Sequence, residues 1–595
     1  MLDTVWAGNP VLSVASSLTG RSWLWRSVED RLGFAMAERL GVPEIIGRIL
    51  AARDIGVDDA ADFMAPTLRA LLPDPARLTD MPHAAARLAA AIRRAEVVAV
   101  FGDYDVDGAC SAALMTIFLR GLGCTVLPYV PDRLAEGYGP NAKALDGLAA
   151  RGATLVLCVD CGTSAHEALA TLHGRADVIV LDHHKAEGPP PPVLATVNPN
   201  RLDDGSGLGQ LCAAGVAFMA AIATLRVLRA EKFFAATREP DLLALLDLVA
   251  LATVCDVMKL TGLNRALVAQ GLRVMARRAR PGLAALMEVA QARDAPTAMT
   301  CGYALGPRIN AGGRISEADL GLRLLLCEDP LDARALAERL DAVNRQRQTM
   351  EAAVLQPAMD LAEAQVRAGH GVLLVCGETW HPGVVGIVAG RLREKFNRPA
   401  CVGGIEAGMI KGSGRSVPGL DMGAAVIAAR QSGMLATGGG HAMAAGFSLR
   451  PDRAGAFHAF LCESLPAPEA APGRPHLMVE STVSTAGATL ELAEQIGRLA
   501  PFGTANEEPV LVVSDVRVVK CDRLGNDGNT LRAFVESEGG GKRLKALLFR
   551  AGDTALAQAL TERSGARLHL AGHLRAESWN GTTSASFCLV DGALA

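Results

Sequence analysis

The stretch FGDYDVDGAC, residues 101–110, sets three aspartates at alternate positions, Asp103, Asp105 and Asp107, and follows them with a glycine. The apolar run EVVAVF (96–101) leads into it, and a helix reaching to about residue 121 leads out. Three carboxylates against the end of a buried strand suit a calcium loop or a catalytic metal site. An EF-hand loop carries a glutamate at its twelfth position and lies between helices. Counted from Asp103 that position is Leu114, and the leading element is a strand, so the calcium loop is excluded.

Outward from this stretch, strands and helices alternate. TVLPYV (125–130), TLVLCV (154–159) and DVIVL (177–181) read as further apolar strands, with helices over 141–151 and 164–173. Apolar strands alternating with helices predict a parallel sheet covered on both faces. Such sheets take ligands at the carboxyl ends of their strands. After the proline run at 189–192 the pattern is helical from about 209 to 300. Residues 329–369 read as one long polar helix, or two, and a smaller α/β region follows. LPAPEAAPGRP (465–475) reads as a linker. The short alternating runs beyond it predict a small β-barrel.

The 595 residues are 50% hydrophobic, enough for several domains. With a net charge of −4 the chain has no general positive coat, so a nucleic-acid partner requires a local basic groove. Aromatics are only 4% of the residues, which keeps any base-stacking platform small. The thirteen cysteines lack framework spacing, which points to a reducing compartment. The pair Cys158 and Cys161 has no second pair at zinc spacing and reads as buried hydrophobes. MLDTVWAGNP has no signal-peptide pattern. The apolar run LLALLDLVALATVCDVM carries Asp247 and Asp256 and is a poor membrane span. The expectation is a soluble cytoplasmic protein with no membrane partner.

Asp160 follows the third strand in CVDCGTS, and Asp182, His183 and His184 follow the fourth in LDHHK. Strands of one parallel sheet end on one edge, so these side chains can converge with the 103–107 acids. Asp256, ending an apolar helix in LATVCDVMKL, can reach the same place. Singly, each has a simpler job: Asp107 and Asp160 capping the helices that follow, Asp182 ending a strand. Gathered together, they need cations to neutralise them. Imidazole beside carboxylate suits Mn²⁺, or Mg²⁺ with more water. Two such ions would activate a water and stabilise both oxygens of a phosphoryl displacement.

The blocks GDYDVDG, VDCGTS, LDHHK and ATVCDVMKLTGLNR are followed in order by GPRINAGGRI, WHPGVVGIVAGRL, GSGRS and GGGHAMAAGFSL. This series, over roughly residues 40–595, resembles the DHH phosphoesterase superfamily and, within it, the RecJ family of single-strand-specific exonucleases. PFGTANEEPV looks like the start of that family's OB domain. The resemblance implies an α/β fold in six parts. A helical, irregular region spans 1–75, a parallel-sheet DHH domain 76–328 and a connecting helix 329–369. A smaller α/β DHH-associated domain spans 370–464, the linker 465–475 and an OB-like barrel 476–595.

By the same resemblance Asp105 and Asp107 bind the two metals, Asp160 bridges them, and His183 and Asp256 complete the ligands. His184 lies near the substrate phosphate. Many superfamily members have a histidine four residues before the first aspartate of this D-x-D pair; here that position is Phe101. Asp103 is therefore left between two roles, a replacement ligand or a residue that orders the loop. Arg308 and Arg314 sit among glycines, where backbone can approach a phosphate and arginine can grip it. With Ser413 and Arg415 of GSGRS they match residues that hold the 5′ end of the strand, and Arg133 in PDRLAEGYG is a further candidate. His441 is expected to face the scissile phosphate from the second domain, sharing charge stabilisation with His184 and Arg308. His381 reads as packing its helix. His370 and His458 are among the histidines that lie outside every block and receive no role.

The implied function is a 5′→3′ exonuclease on single-stranded DNA, releasing 5′-mononucleotides with two Mn²⁺ or Mg²⁺ ions, in DNA repair and recombination. The expected state is a monomer. A single-strand-binding protein enters as a partner only through the shared substrate. In the barrel Lys520, Arg523, Lys542, Arg543, Lys545 and Arg550 supply charge for salt-dependent phosphate contacts. The rivals are a superfamily phosphodiesterase on short oligonucleotides or cyclic dinucleotides, and a non-catalytic strand-binding relative. The extra barrel argues against the first and the nearly intact ligand set against the second.

Overall fold

The run before the aspartates is the strand Val97–Gly102, and it sits inside a five-stranded sheet. The sheet order is Thr125–Tyr129, Val97–Gly102, Leu155–Val159, Asp177–Leu181 and Ala195–Val197, every pair parallel. The strand order reverses direction between the first strand of the chain path and the third. A crevice opens at such a switch point, outside the carboxyl ends. Phe101 is fully buried, its ring 5.3 Å from that of Tyr129. The side chain standing where a histidine was weighed is thus part of the hydrophobic core.

This computed structural model describes residues 10–26, 30–132, 136–137, 139–186, 188–465, 475–525, 528–537, 542–562, 566–579 and 581–595. Arg133 and nearly all of the expected linker lie outside the described residues. The chain divides into two compact units, one of Pro75–Asp256 with Val274–Pro472, the other of Met1–Asp74, Val257–Arg273 and Gly473–Ala595.

In the first unit the polar stretch after the sheet is a single helix, Pro330–Arg367, 38 residues and therefore about 57 Å long. Asp329 caps it, accepting from the N–H groups of Leu331 and Asp332 at 2.8 and 3.0 Å, with Pro330 at the first helical position. A second sheet follows, in the order Thr437–His441, Ala444–Leu449, Met409–Arg415, Ala400–Glu406 and Leu373–Glu378. Only its last pair is parallel. Among the described residues one helix, Ala213–Ala230, is long and apolar enough to cross a membrane, and 67% of it is buried in this unit.

In the second unit, strands Leu511–Leu524, Thr530–Ser537, Leu544–Phe549, Thr582–Leu594 and Leu568–Trp579 pair in that order, and the last pairs back to the first. That closes a five-stranded barrel of the OB kind. The helix Glu44–Ala51, in a separate stretch by sequence, shares its core: Ile46, Ile49 and Leu50 pack in one cluster with Leu511, Val513 and Leu570. Strand Ser22–Trp25 also pairs parallel with His476–Val479. Lys520, Arg543 and Lys545 are each paired with an acid, Asp522 at 3.2 Å, Glu536 at 3.3 Å and Glu577 at 3.7 Å. The lysine and arginine of the first two pairs are exposed, and ion pairs with one exposed partner near the surface are weak.

Arg265, in the GLNR end of the fourth block, is 1% exposed. Its guanidinium donates to the carbonyls of Phe63, Leu499 and Ala500 at 2.8, 2.9 and 2.8 Å and covers the Phe63 ring. It ties three separate segments of this unit together. Arg265→Met should take this donor from the Phe63 and Ala500 carbonyls, while Asn506 still serves Leu499, and cost about 3 kcal/mol, read as a lower denaturant midpoint for the barrel unit.

Candidate metal centre

Asp105 precedes the helix Val106–Gly121, and its Oδ1 accepts from the Gly108 N–H at 3.0 Å. The cap is therefore Asp105, not Asp107. Asp107 lies in the first turn, buried, with its two oxygens accepting from Ala213 N–H at 2.7 Å and Ala214 N–H at 2.8 Å. Those groups open the helix Ala213–Ala230, whose N-terminal end favours a negative charge. Asp160 does not cap a helix either. It sits at φ +60°, uncommon for a residue with a side chain, at the end of Leu155–Val159.

Asp182 is a hub. Its Oδ2 accepts from Thr163 N–H and Oγ1 at 3.1 and 2.6 Å. Its Oδ1 accepts from His183 N–H at 2.7 Å, His184 N–H at 3.2 Å and His184 Nδ1 at 2.8 Å. Asn198 donates to the His184 carbonyl at 2.8 Å and Asn200 to the His183 carbonyl at 2.6 Å. The His184 ring is thus held from behind, and the backbone of both histidines is fixed.

His183 Nε2 lies 3.7 Å from Asp107 Oδ2, 3.3 Å from Asp160 Oδ1 and 3.5 Å from Asp256 Oδ2. Three overlapping groups each bring one donor atom per residue within 4.8 Å: Asp103–Asp105–Asp160, Asp160–His183–His184, and Asp107–His183–Asp256. Asp160 and His183 each belong to two of them. Buried Asp160 Oδ1 has no hydrogen bond among the described residues. Burial first, and then Asp107, Asp105, Asp103 and Asp182, push the Asp160 carboxyl well above the carboxylate range. Burial also raises Asp107, against His183 and the two N–H groups. Asp256 is pushed up to about 8, by burial and then by Asp107 and Asp105. A donor set of oxygens and imidazole nitrogens with an unbonded buried oxygen fits a pair of hard divalent ions, which would replace the missing positive charge.

Asp182 and His184 behave in the opposite way. Against the cost of burial, His184 and Thr163 hold Asp182 far below the carboxylate range. Although burial opposes it, the bond and charge of Asp182 lift His184 to about 9.

The block GPRINAGGRI forms a helix, Gly306–Ile315. Its glycines face protein: a Cβ at Gly313 would stand 2.9 Å from the Tyr104 carbonyl oxygen, against the loop that carries Asp103 and Asp105. Arg308 donates from Nε to Asp341 Oδ1 at 2.9 Å and from Nη1 to the Ala304 carbonyl at 2.6 Å. It makes no hydrogen bond or ion pair with the carboxylate cluster among the described residues. Arg314 reaches the Gly383 carbonyl at 3.4 Å, and a Cβ on Gly383 would lie 2.3 Å from the Arg314 carbonyl oxygen. The two domains of this unit meet there.

Arg415 Nη1 donates to Ser413 Oγ at 2.8 Å, on the strand Met409–Arg415. With Lys411 and Pro382 they line a cleft of about 430 Å³. His441 is exposed at the turn of the Thr437–His441 hairpin, while His381 caps the helix Pro382–Phe396 by accepting from Gly383 N–H at 3.0 Å.

Sequence reasoning missed the hub role of Asp182, the supports Asn198 and Asn200, and Arg347. Arg347 lies on the connecting helix and lines a cavity of about 180 Å³ with Asn310, Arg314 and Cys255. The repeated asparagine of VNPN was a usable signal for the supports; the long polar helix offered none for Arg347.

The DHH family, N-terminal domain, matches residues 97–253, and the DHHA1 domain matches 369–465. Fold and site together define a DHH-family protein. The RecJ OB domain matches residues 479–591. The single-stranded-DNA-specific exonuclease RecJ of Escherichia coli (strain K12) is 37% identical over 533 residues, 87% of this chain and 90% of that protein. Its counterpart in Bacillus subtilis (strain 168) is 31% identical over 572 residues, covering 94% of this chain and 69% of that protein. A crystal structure of RecJ in complex with Mn²⁺ from Thermus thermophilus matches with a TM-score of 0.77 at 29% identity, covering 94% of this chain and 78% of that one. The chain belongs to the RecJ family.

Two outcomes follow from the geometry. Carboxyls raised above their unfolded value of about 4, with Asp256 at about 8, lend stability below pH 4 that is lost as pH rises through the folded values. His184, raised to about 9, acts in the same direction. The metal-stripped protein should therefore lose melting temperature from pH 5 to 9, and excess Mn²⁺ should restore most at the alkaline end. A flat or rising profile without metal would contradict this. Gly313→Ala should displace the Tyr104 loop and lower kcat by about 100-fold in a protein whose circular dichroism is unchanged.

Proposed function

We propose that this chain is a metal-dependent 5′→3′ exonuclease specific for single-stranded DNA, releasing 5′-mononucleotides in DNA repair and recombination. The observation that carries the reading is the convergence of Asp103, Asp105, Asp107, Asp160, Asp256, His183 and His184 at one sheet edge. In this reading Asp103, Asp105 and Asp160 would hold one divalent ion, Mn²⁺ or Mg²⁺, and Asp107, His183 and Asp256 would hold the other, with Asp160 near both. Asp103 takes the place that the buried hydrocarbon of Phe101 leaves without a ligand. When bound, the ions supply Lewis acidity and a water acidic enough to attack phosphorus.

The chain's own residues do the rest. His184, with Nδ1 committed to Asp182 and its pKa raised by that bond, presents Nε2 to a phosphate oxygen. Ser413 and Arg415, with Lys411 beside them, receive the 5′-phosphate in the 430 Å³ cleft. Arg314 lies where the two domains meet, placed to contact the strand's backbone. Arg308, anchored to Asp341, orients the connecting helix and adds positive charge on the substrate side, and His441 enters from the second domain. The barrel also binds the strand, through basic side chains such as Lys520 and Arg543. A monomer working in the cytoplasm, beside a single-strand-binding protein on the same DNA, completes the reading.

The test uses 5′-phosphorylated single strands and a matching duplex with Mn²⁺ or Mg²⁺. Metal-dependent release of mononucleotides from the single strand alone is expected; no release from it would defeat the reading. Asp160→Ala should cut turnover by about 10³-fold while strand affinity stays within about 2-fold. Full activity in that variant would remove Asp160 from the shared position.

A further inference from the structure

A second set of metal-binding side chains lies in the DHHA1 region, away from the carboxylates. His458 and Cys462 are one turn apart on the helix Ala454–Ser464, so both project from one face. His370 follows the connecting helix and stands with its ring 4.7 Å from that of His458. One donor atom from each of the three lies within 4.8 Å of the others. The Val372 carbonyl sits between the two helical residues, accepting from His458 Nε2 at 2.8 Å and from Cys462 Sγ at 3.8 Å.

A carbonyl oxygen only accepts, so His458 Nε2 carries the hydrogen and the lone pair of the neutral ring is on Nδ1. A ring N–H held by a backbone carbonyl is the arrangement that orients metal-binding histidines and makes the other nitrogen more basic. Burial, opposed by the Val372 bond and reinforced by His370, lowers the His458 pKa from its ordinary value. His370 is exposed, which leaves an entry path for an ion.

We propose that His370, His458 and Cys462 form a soft-metal site that takes Zn²⁺ through two imidazole nitrogens and one thiolate, with a fourth position open to water. The donor chemistry separates it from the metal centre: nitrogen and sulfur here, mainly carboxylate oxygen there. Binding forms one metal–sulfur bond and releases the Cys462 thiol proton to solvent. The ion ties the helix Ala454–Ser464 to the residues that lead into the strand Leu373–Glu378, which clamps the edge of the second sheet. The proposal stands independently of the nuclease reading.

The experiment titrates the full chain, kept reduced by a phosphine, with Co²⁺ in the presence of millimolar Mg²⁺ to occupy the carboxylate cluster. The expected result is a thiolate-to-cobalt charge-transfer band that saturates at one equivalent and is bleached by Zn²⁺. Cys462→Ser should abolish the band. His370→Ala, at an exposed position that leaves folding intact, should weaken Co²⁺ binding by at least about 10-fold. A wild-type protein without the band overturns the proposal, as does a band unchanged in Cys462→Ser or an affinity unchanged in His370→Ala.

Discussion

Four aspartates, Asp103, Asp107, Asp160 and Asp182, are at most 4% exposed along one edge of one sheet. Carboxylates at such depth repel one another and lose the hydration that would screen them, so each must gain a hydrogen bond, a proton or a cation. Asp182 is satisfied by protein alone, through Thr163 and the His183 and His184 backbone. Asp107 is partly satisfied by the two N–H groups that open the helix Ala213–Ala230. Asp160, with one oxygen outside any hydrogen bond, is not. The unbalanced charge at Asp160 defines the site, and the elements around it hold the acids together against their repulsion.

That holding is done by close backbone approach more than by side chains. Gly313 lets its helix lie against the Tyr104 carbonyl, and Gly383 lets the second domain lie against the Arg314 carbonyl. A methyl at either place overlaps backbone, which cannot swing aside as a side chain can. The same joint sets Arg314 and Arg347 around a small cavity beside Cys255, the neighbour of Asp256. Packing between the domains and the placement of positive charge are therefore one feature of the structure.

Much of this was legible beforehand. The strands at 97–102, 155–159 and 177–181 are continuous apolar runs, which a sheet buried on both faces demands, and their ends locate the acids. The helical form of GPRINAGGRI was not legible, because proline at the start of a helix and glycines at a helix contact leave the same letters as a loop. Asp182 does stand at the end of a strand, but its hub role was not legible because its five hydrogen bonds come from residues up to nineteen positions away. The barrel's basic residues looked like a charged face, yet three are paired with acids: Lys520 with Asp522 of its own strand, Arg543 with Glu536 and Lys545 with Glu577 from other strands.

The amino-acid sequence by itself determined the α/β alternation, the edge on which the acids fall and the family to which the chain belongs. Those features follow from local hydrophobic pattern and from motif spacing, which a linear text contains. Only the tertiary structure decided that Asp105 caps a helix while Asp107 pins one, that Asp160 is shared between two donor groups, and that Phe101 is core. It also decided that residues near the N-terminus build one core with the barrel. Each of these depends on which backbone N–H, ring or carbonyl arrives from a distant segment, and burial and hydrogen bonding set that only once the chain has closed on itself.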